Sequence, residues 1–169
     1  MLFRSRDGLC DPAFFQSNGP FRGAKGDLTE GGLRVPLLVR WPGRVKAGAT
    51  NDTPVALWDL FATAAELAGA TNAPPSDSAS LVPTLLGKPL PKPREFLYWE
   101  THEPTFRQAI RAGDWKGIRA GTNGTMELYH LARDPGEARN LAADYPVVVK
   151  HLETLLKSAR TESNVWETK

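Results

Sequence analysis

The chain has 169 residues, about one domain by the usual range of roughly 100–200 residues per domain, and an ordinary globular composition with 41% hydrophobic residues. Its formal net charge of only +2 argues against nucleic acid as the partner, and no apolar run approaches the roughly 18 residues that a membrane-spanning helix needs. A single cysteine excludes an internal disulfide, and the N-terminal residues MLFRSR lack the apolar core of a signal peptide, so the sequence leaves the compartment undetermined.

Residues 1–33 are predicted to form an ordered functional loop. Glycine and proline recur throughout this stretch at a density typical of tight turns and close backbone approaches. A loop of this length in a compact domain is uncommon unless it is functional or disordered. Phe14, Phe15 and Phe21 give it apolar side chains to bury, which favours an ordered loop.

A strand and a helix are predicted after the loop. Residues 34–41, RVPLLVRW, contain the continuous apolar run of a strand that is buried on both faces, as in parallel sheets. A helix is predicted to begin at Thr53, with a capping hydroxyl and a proline at the first helical position, and to end at Gly69. Its predicted buried face consists of apolar residues at helical spacing, namely Leu57, Leu60, Phe61, Ala64, Leu67 and Ala68.

The second half of the chain has the pattern of a small antiparallel sheet. After a proline-rich linker, strands are predicted at residues 96–99, 108–111, 115–119 and 127–131, with a short glycine-containing hairpin connection between the second and third. A last helix is predicted to be capped by Asp144. Its apolar face consists of Val148, Leu152, Leu155, Leu156 and Ala159.

These elements predict an α/β chain in two parts. Residues 1–88 form the end of an α/β domain, and residues 89–169 form a small α+β subdomain, an antiparallel sheet with a terminal helix. One strand that is buried on both faces needs neighbouring strands and covering helices, which a single helix does not supply. The sequence is therefore expected to be the end of a larger protein.

Five motifs in a fixed order carry a resemblance to a known family. They are RGAKGDLTEGGLRVP at residues 22–36, WPG at 41–43, a helix that ends in LAG at 67–69, SLVPTLLG at 80–87, and the pair AIRAGDWK and ELYHLARDPGEARNL at 109–116 and 127–141. Together they closely resemble the sulfatase family, the formylglycine-dependent sulfuric ester hydrolases. The likeness is to its arylsulfatase and N-acetylgalactosamine-6-sulfatase-like branch.

The resemblance implies the C-terminal portion of an alkaline-phosphatase-like fold and an intact enzyme that hydrolyses sulfate esters of sugars or aryl alcohols. In this family the nucleophile is made from the cysteine of C-x-P-x-R, and calcium is held by Asp and Asn side chains, so calcium is expected in the intact enzyme. Cys10 is rejected as the nucleophile, because Phe14 stands where the motif requires arginine. Asp7 is at most a remnant of the metal ligands, and no cofactor is expected for this chain alone.

Lys25 is the catalytic residue that the resemblance carries over, in contact with the substrate sulfate. A compact ammonium group on a flexible stem, presented by a glycine-flanked loop, can stabilise negative charge on sulfate oxygens. Arg22 is a second candidate for attracting the anion. His102 is a candidate to bind or protonate the leaving group, with a surface role as the alternative.

Four residues that follow Lys25 in the same motif are predicted to be structural. Glu30 and Arg34 have the i, i+4 spacing of an ion pair, which would fix the loop to the following strand. Gly31 and Gly32 lie between them and allow a tight bend.

Three functional interpretations stay open at this point. The first is the C-terminal part of a sulfatase, inactive as an isolated chain because the nucleophile and most metal ligands are absent, whose intact form takes a sulfate ester as substrate. The second is a non-catalytic module that binds sulfate or a sulfated glycan, or that docks onto a separate N-terminal half. The third is a truncated gene product without a function. None of them predicts a nucleic acid or a membrane as the partner.

Overall fold

The computed structural model describes residues 16–161 together with Ser163 and Val165. The chain divides into two compact units. The sheet unit combines the described residues up to Val35 with those from Glu95 onward, and the intervening unit is Pro36–Arg94. No helix in the described part of the chain is long and apolar enough to cross a membrane.

Four antiparallel strands form the sheet of the sheet unit. They are β1 Leu97–Thr101, β2 Arg107–Ala112, β3 Trp115–Ala120 and β4 Glu127–His130, in the spatial order β1-β2-β3-β4. Gly113, with φ 58°, lies in the tight turn between β2 and β3, because glycine adopts this left-handed conformation without steric cost. The predicted antiparallel sheet is confirmed, with small shifts at the strand ends.

One face of the sheet packs against the last helix, α4, Pro146–Ala159. Asp144 does not cap this helix as predicted, because the cap position is Tyr145, which makes no side-chain capping bond. The Asp144 carboxylate instead accepts a hydrogen bond from Arg139 at 3.1 Å. The helical face nevertheless follows the predicted spacing, since residues three and four apart share a side. The core between helix and sheet contains Ile110, Met126, Leu128, Leu152, Leu155 and Leu156.

The opposite face of the sheet lies against residues 16–34. Lys116 and Tyr129 are direct neighbours across β3 and β4, and Arg107 lies on the same face of β2. Each of these three side chains contacts the N-terminal segment. That segment ends in a one-turn helix, α1, Glu30–Leu33. Residues 16–34, which include the described part of the predicted loop, thus form an ordered layer on the sheet, which we call the N-terminal layer.

The predicted strand at residues 34–41 is absent, which corrects the sequence prediction. The side chain of Leu38 in its centre is 95% exposed. A strand of this type needs neighbours on both edges, and none of the strands among the described residues pairs with it.

The helix that the sequence predicts between Thr53 and Gly69 is shorter in the structure. The intervening unit contains α2, Asp59–Leu67, and the short helix α3, Val82–Leu85. Thr53 and Pro54 lie outside α2, so neither caps it. The helix begins where the Asp59 carboxylate accepts a hydrogen bond from the Ala56 N–H at 2.7 Å.

Helix α2 buries polar residues in place of the predicted apolar face. The Asp59 carboxylate also accepts a hydrogen bond from the Ala79 N–H at 2.9 Å. The Thr63 hydroxyl donates to the Asp59 carbonyl and accepts from the Leu81 N–H, so the helix is fixed to the segment before α3. The apolar side chains remain exposed, namely Leu57, Leu60, Phe61 and Leu67.

The two compact units also differ from the predicted division at residue 88. The sequence places residues 1–88 in one part. In the structure the described residues before Pro36 group with the sheet, because they pack on its second face.

Replacing Leu152 by alanine tests the sheet–helix core. Leu152 is fully buried, and removal of a buried leucine side chain leaves a cavity that costs about 2–5 kcal/mol. We expect L152A to lower the free energy of unfolding of the sheet unit by this amount in a urea titration. Val147 lies on the same helix and is 81% exposed, so V147A is the matched control and should change stability by less than about 0.5 kcal/mol. Equal effects of the two changes would contradict the described core.

Candidate functional site

Lys25 lies in a tight turn formed by residues 24–27, which we call the lysine turn. The Asp27 N–H donates to the Ala24 carbonyl at 2.9 Å, and the Asp27 carboxylate accepts from the Ala24 N–H at 2.9 Å. Gly26 has φ 97°, a conformation that residues with a Cβ rarely adopt. Lys25 itself is exposed. The turn is thus fixed by its own hydrogen bonds while its lysine faces solvent.

Two glycines allow α1 to pack directly against the lysine turn. A Cβ atom at Gly31 would collide with the carbonyl oxygens of residues 21–23, and one at Gly32 would collide with those of Ala24 and Asp27. The Gly31 N–H donates to the Arg22 carbonyl at 2.8 Å. The backbone of α1 and the backbone of the lysine turn are therefore in contact, with no side chain between them.

Arg107, the first residue of β2, fixes the lysine turn to the sheet. Its guanidinium donates to the Gly26 carbonyl at 3.1 Å and lies 3.7 Å from the Asp27 carboxylate. Residues 102–106 connect β1 to β2 immediately before Arg107. The lysine turn therefore lies at the end of the sheet from which the loop with His102 emerges.

A buried charge cluster, formed by Glu30, Lys116 and Glu137, joins α1 to the sheet. The Lys116 ammonium nitrogen lies 2.8 Å from Glu30 Oε1 and 2.9 Å from Glu137 Oε1. The second oxygen of Glu137 accepts a hydrogen bond from the Glu30 backbone N–H at 2.7 Å. No side chain of the cluster is more than 4% exposed. Three segments that are distant in sequence therefore meet at one ammonium group.

Arg34 and Arg111 place further positive charge near Glu30. The Arg34 Nε donates to the Glu30 carboxylate at 2.6 Å, at the i, i+4 spacing from which the sequence predicts an ion pair. Arg111, the neighbour of Lys116 on β2, also interacts electrostatically with Glu30. Burial alone would raise the pKa of Glu30, but Lys116 and Arg34 outweigh burial and hold this pKa below its ordinary value of 4.5.

Sequence reasoning did not single out Lys116 and Glu137 as site residues. It places Lys116 in a strand and Glu137 in a turn, with no partner for either. Strand alternation puts Lys116 on the face opposite to the apolar core, where lysine normally points to solvent. Only the position of residues 16–34 over that face turns Lys116 into a buried cation, and this contact spans 86 residues of sequence.

Arg22, the second candidate for anion contact, is engaged by the sheet. Its guanidinium donates to the Tyr129 hydroxyl at 3.1 Å, lies 4.9 Å from the centre of that ring and is 3.6 Å from the Glu127 carboxylate. The Tyr129 hydroxyl in turn donates to Glu127, and burial together with this bond raises the pKa of Tyr129. The placement favours a structural role for Arg22.

His102 is held by a polar network at the end of β1. Its Nε2 lies 3.2 Å from the Glu100 carboxylate, and its ring lies 5.0 Å from that of Phe106. Glu100 also accepts hydrogen bonds from Tyr98 at 2.6 Å and Arg160 at 3.0 Å. Burial alone would raise the pKa of Glu100, but Tyr98, His102 and Arg160 lower it. A carboxylate thus fixes the orientation of this imidazole.

The described residues provide no metal centre. No group of three or more His, Cys, Asp or Glu side chains within them is arranged to hold a metal ion. Cys10 and Asp7, which the sequence analysis discussed as nucleophile and metal ligand, lie outside the described residues. The calcium site expected for the intact enzyme is therefore not formed by the residues that the structure describes.

A hollow of about 290 Å³ lies at the other end of the sheet, between the start of β3 and the start of α4. Trp115, His130 and Tyr145 form its aromatic wall, with ring centres 4.6 and 4.9 Å from Trp115. Arg107, which holds the lysine turn, pairs with Ala120 at the opposite end of β3. This hollow is thus separate from the lysine turn.

Comparison with known proteins identifies the relatives of this chain. A family profile described as N-sulphoglucosamine sulphohydrolase, C-terminal, matches residues 25–162. The N-acetylgalactosamine-6-O-sulfatase of Bacteroides thetaiotaomicron is 33% identical over 92% of this chain and 34% of its own length. The N-acetylgalactosamine-6-sulfatase of Homo sapiens is 34% identical over 98% of this chain and 40% of its own length.

A solved structure shows the same architecture. It comes from work on the metabolism of multiple glycosaminoglycans by Bacteroides thetaiotaomicron and superposes with a TM-score of 0.68 at 31% identity, over 90% of this chain and 35% of that one. The structural neighbours confirm the expected alkaline-phosphatase-like fold class. The chain spans a little over a third of the length of these relatives.

The lowered pKa of Glu30 predicts how the charge cluster responds to acid. A carboxylate whose pKa is lower in the folded state stabilises the fold above its unfolded pKa, and this contribution is lost as the pH falls through the folded pKa. We expect E30Q to lower the free energy of unfolding at pH 7 by about 3–5 kcal/mol, the usual cost of removing one partner of a buried ion pair. The difference from wild type should shrink as the pH falls below 4.5.

Unfolding titrations between pH 7 and pH 2.5 measure this difference. Glu95 is exposed and is the first residue of the second segment of the sheet unit, so E95Q is the control and should follow the wild-type profile. A difference between E30Q and wild type that stays constant down to the lowest pH would contradict the assigned charge of Glu30.

Proposed function

This chain belongs to the sulfatase family, and on that basis we propose that it forms the C-terminal part of a sulfuric ester hydrolase in which Lys25 contacts the sulfate group of the substrate. It contains a sulfatase C-terminal domain that is homologous to sulfatases acting on sulfated sugars. We further propose that Lys25 contacts the sulfate group and that the isolated chain is inactive.

The exposed lysine on a rigid turn is the observation that carries the proposal. An ammonium group stabilises the charge on sulfate oxygens only where it can approach them, and Lys25 is exposed. The turn behind it is fixed by its internal hydrogen bonds and by Arg107. Little reorganisation is then needed when an anion binds, which is the condition for effective electrostatic stabilisation.

His102 is proposed to act on the leaving group, and Arg22 is not. Glu100 fixes the orientation of the His102 imidazole, as is needed in a group that binds or protonates a leaving oxygen. Arg22 is bound by Tyr129 and Glu127, so we assign it the structural role of holding the N-terminal segment on β4.

We propose that the isolated chain does not turn over sulfate esters. In the intact family enzyme, formylglycine would supply the nucleophile and calcium would polarise the sulfate. The single cysteine of this chain, Cys10, lacks the arginine of the C-x-P-x-R motif, and the described residues contain no cluster of metal ligands. Loss of one member of a cooperating catalytic set costs several orders of magnitude in rate. The remaining contribution of this chain is recognition of the sulfate group.

Sulfated sugars are the proposed substrates of the intact enzyme. Two of the relatives are sulfatases of N-acetylgalactosamine 6-sulfate by name, and they align with nearly the whole of this chain. Aryl sulfates are the second class that the resemblance implies, and the choice between the two depends on residues beyond the lysine turn.

Replacing Lys25 by alanine tests the proposed sulfate contact. We expect a titration of the 169-residue chain with inorganic sulfate, followed by ¹⁵N NMR, to shift the amide signals of the lysine turn. K25A should weaken this binding about tenfold or more, since a hydrogen bond to a charged group contributes about 1.5–3 kcal/mol. Lys88 is another exposed lysine, and K88A should bind sulfate like wild type.

The same preparation tests the proposed inactivity. Incubation with a chromogenic aryl sulfate and calcium should release no product above background. Turnover by the wild-type chain that K25A abolishes would contradict the inactivity, and equal sulfate binding by wild type and K25A would contradict the contact.

A second candidate function, assembly with a separate chain, rests on the exposed apolar residues of the intervening unit. Leu38 is 95% exposed and Leu57 is 70% exposed, and further apolar side chains of residues 37–67 are exposed as well. A concentration of exposed apolar side chains in one unit favours a surface that another protein covers. The proposed partner carries the remaining α/β layer of a sulfatase, with the C-x-P-x-R motif.

The substitution L38D tests this assembly. An aspartate at the exposed position should leave the fold of the chain intact and prevent burial of this surface, because an unpaired carboxylate is costly to desolvate. We expect the tagged wild-type chain to recover from its native cells a protein with the C-x-P-x-R motif, identified by mass spectrometry, and L38D to recover at least about tenfold less. Lys46 is an exposed polar residue of the same unit, so K46D is the control. Equal recovery by L38D and wild type would contradict this interface.

A further inference from the structure

We infer that Lys116 and Glu137 are positioning residues for Lys25, because the charge cluster to which they belong sets the position of the lysine turn. This inference rests on the proposed sulfate contact of Lys25. It adds the buried residues that hold the backbone of the lysine turn in position. Neither Lys116 nor Glu137 is exposed, so neither can contact a substrate itself.

The first link is between the cluster and α1. Lys116 contacts the Glu30 side chain at 2.8 Å, and Glu137 accepts a hydrogen bond from the Glu30 backbone N–H at 2.7 Å. The first residue of α1 is therefore held at both its side chain and its backbone. A one-turn helix is not stable on its own, so its position depends on these contacts.

The second link is between α1 and the lysine turn. The Gly31 N–H bonds to the Arg22 carbonyl, and Gly32 lies against the carbonyl oxygens of Ala24 and Asp27 with no space for a side chain. A shift of α1 would therefore displace the backbone on both sides of Lys25.

The third observation is that the cluster is closed to solvent. Lys116 and Glu137 have fully buried side chains, and Arg34 is a second cation in contact with Glu30. Without Lys116, the buried Glu137 carboxylate loses the cation beside it, and without Glu137, the buried Lys116 ammonium keeps only Glu30 as a counter-ion. Either change therefore favours opening of the cluster to water. The segment most able to move is the N-terminal layer, residues 16–34, which covers the cluster. Lys116 itself belongs to β3, which is hydrogen-bonded to a strand on each side.

Amide hydrogen exchange of the 169-residue chain tests this inference directly. The variants are E137Q, which keeps the side-chain shape, and K116M, which keeps the length of the chain. We expect the Asp27, Gly31 and Gly32 amides to exchange about tenfold or more faster in both variants, because the local opening of this layer becomes easier. The double variant K116M/E137Q removes one cation and one anion together and is used where a single change prevents folding.

L152A is the matched control for stability. It weakens the core on the other face of the sheet and does not touch the cluster. Its Asp27, Gly31 and Gly32 amides should exchange within about twofold of wild type under native conditions, because local opening does not require global unfolding. Wild-type exchange at these three amides in folded E137Q or K116M would overturn the inference.

Titration with inorganic sulfate links the positioning to binding. We expect E137Q and K116M to bind sulfate about tenfold more weakly than wild type, as displacement of a positioning group costs affinity or rate of this order, and L152A to bind it normally. Wild-type sulfate affinity in a variant whose lysine turn exchanges faster would also overturn the positioning role. A wild-type chain that shows no sulfate-dependent shift at the lysine turn contradicts the proposed sulfate contact, whereas the exchange rates still decide whether the cluster positions the turn.

Discussion

The ammonium group of Lys116 is the interaction on which the rest of the sheet unit depends. A lysine with no exposed surface requires compensation of its charge, and Glu30 and Glu137 supply it from two different segments. The cost of removing these ions from water is large, so such a cluster fixes the arrangement of segments as much as it adds stability. Here that arrangement places α1, and with it the lysine turn, on the sheet.

The sheet carries a different kind of interior on each face. On one side, apolar residues of β2, β4 and α4 form the core around Ile110 and Leu152. On the other side, charged residues bind the N-terminal layer through ion pairs and hydrogen bonds. The apolar side supplies stability, and the charged side holds the exposed lysine turn. Preorganisation of a binding group usually requires this type of supporting shell.

Local patterns predicted the elements whose contacts are close in sequence. The β2–β3 hairpin and the face of α4 followed from alternation and helical spacing, because hairpin and helix contacts are local. Lys25 followed from a motif, and its presentation on a turn agrees with the glycine after it. The ion pair of Glu30 with Arg34 followed from their i, i+4 spacing. The long-range partners of Glu30 could not be predicted, since Lys116 and Glu137 are 86 and 107 residues away and their charges alone suggest solvent. The prediction of a strand at residues 34–41 was wrong for a different reason: a strand that is apolar on both faces needs neighbouring strands, and none of the described strands pairs with it. Helix α2 likewise leaves the apolar side chain of Leu60 exposed.

The long sequence separation within the charge cluster has a consequence for biosynthesis. Glu30 leaves the ribosome well before Glu137, and at typical translation rates of about 5–20 residues per second the interval is on the order of 5–20 s. During that time the nascent residues 16–34 have no acceptor for the Glu30 N–H, and they have no cation from β3 until Lys116 emerges. The hairpins and α4, whose contacts are shorter in range, can form as soon as they emerge. The lysine turn consequently cannot be fixed in its native position until Glu137 has emerged, and chaperones would encounter it in an unpaired state.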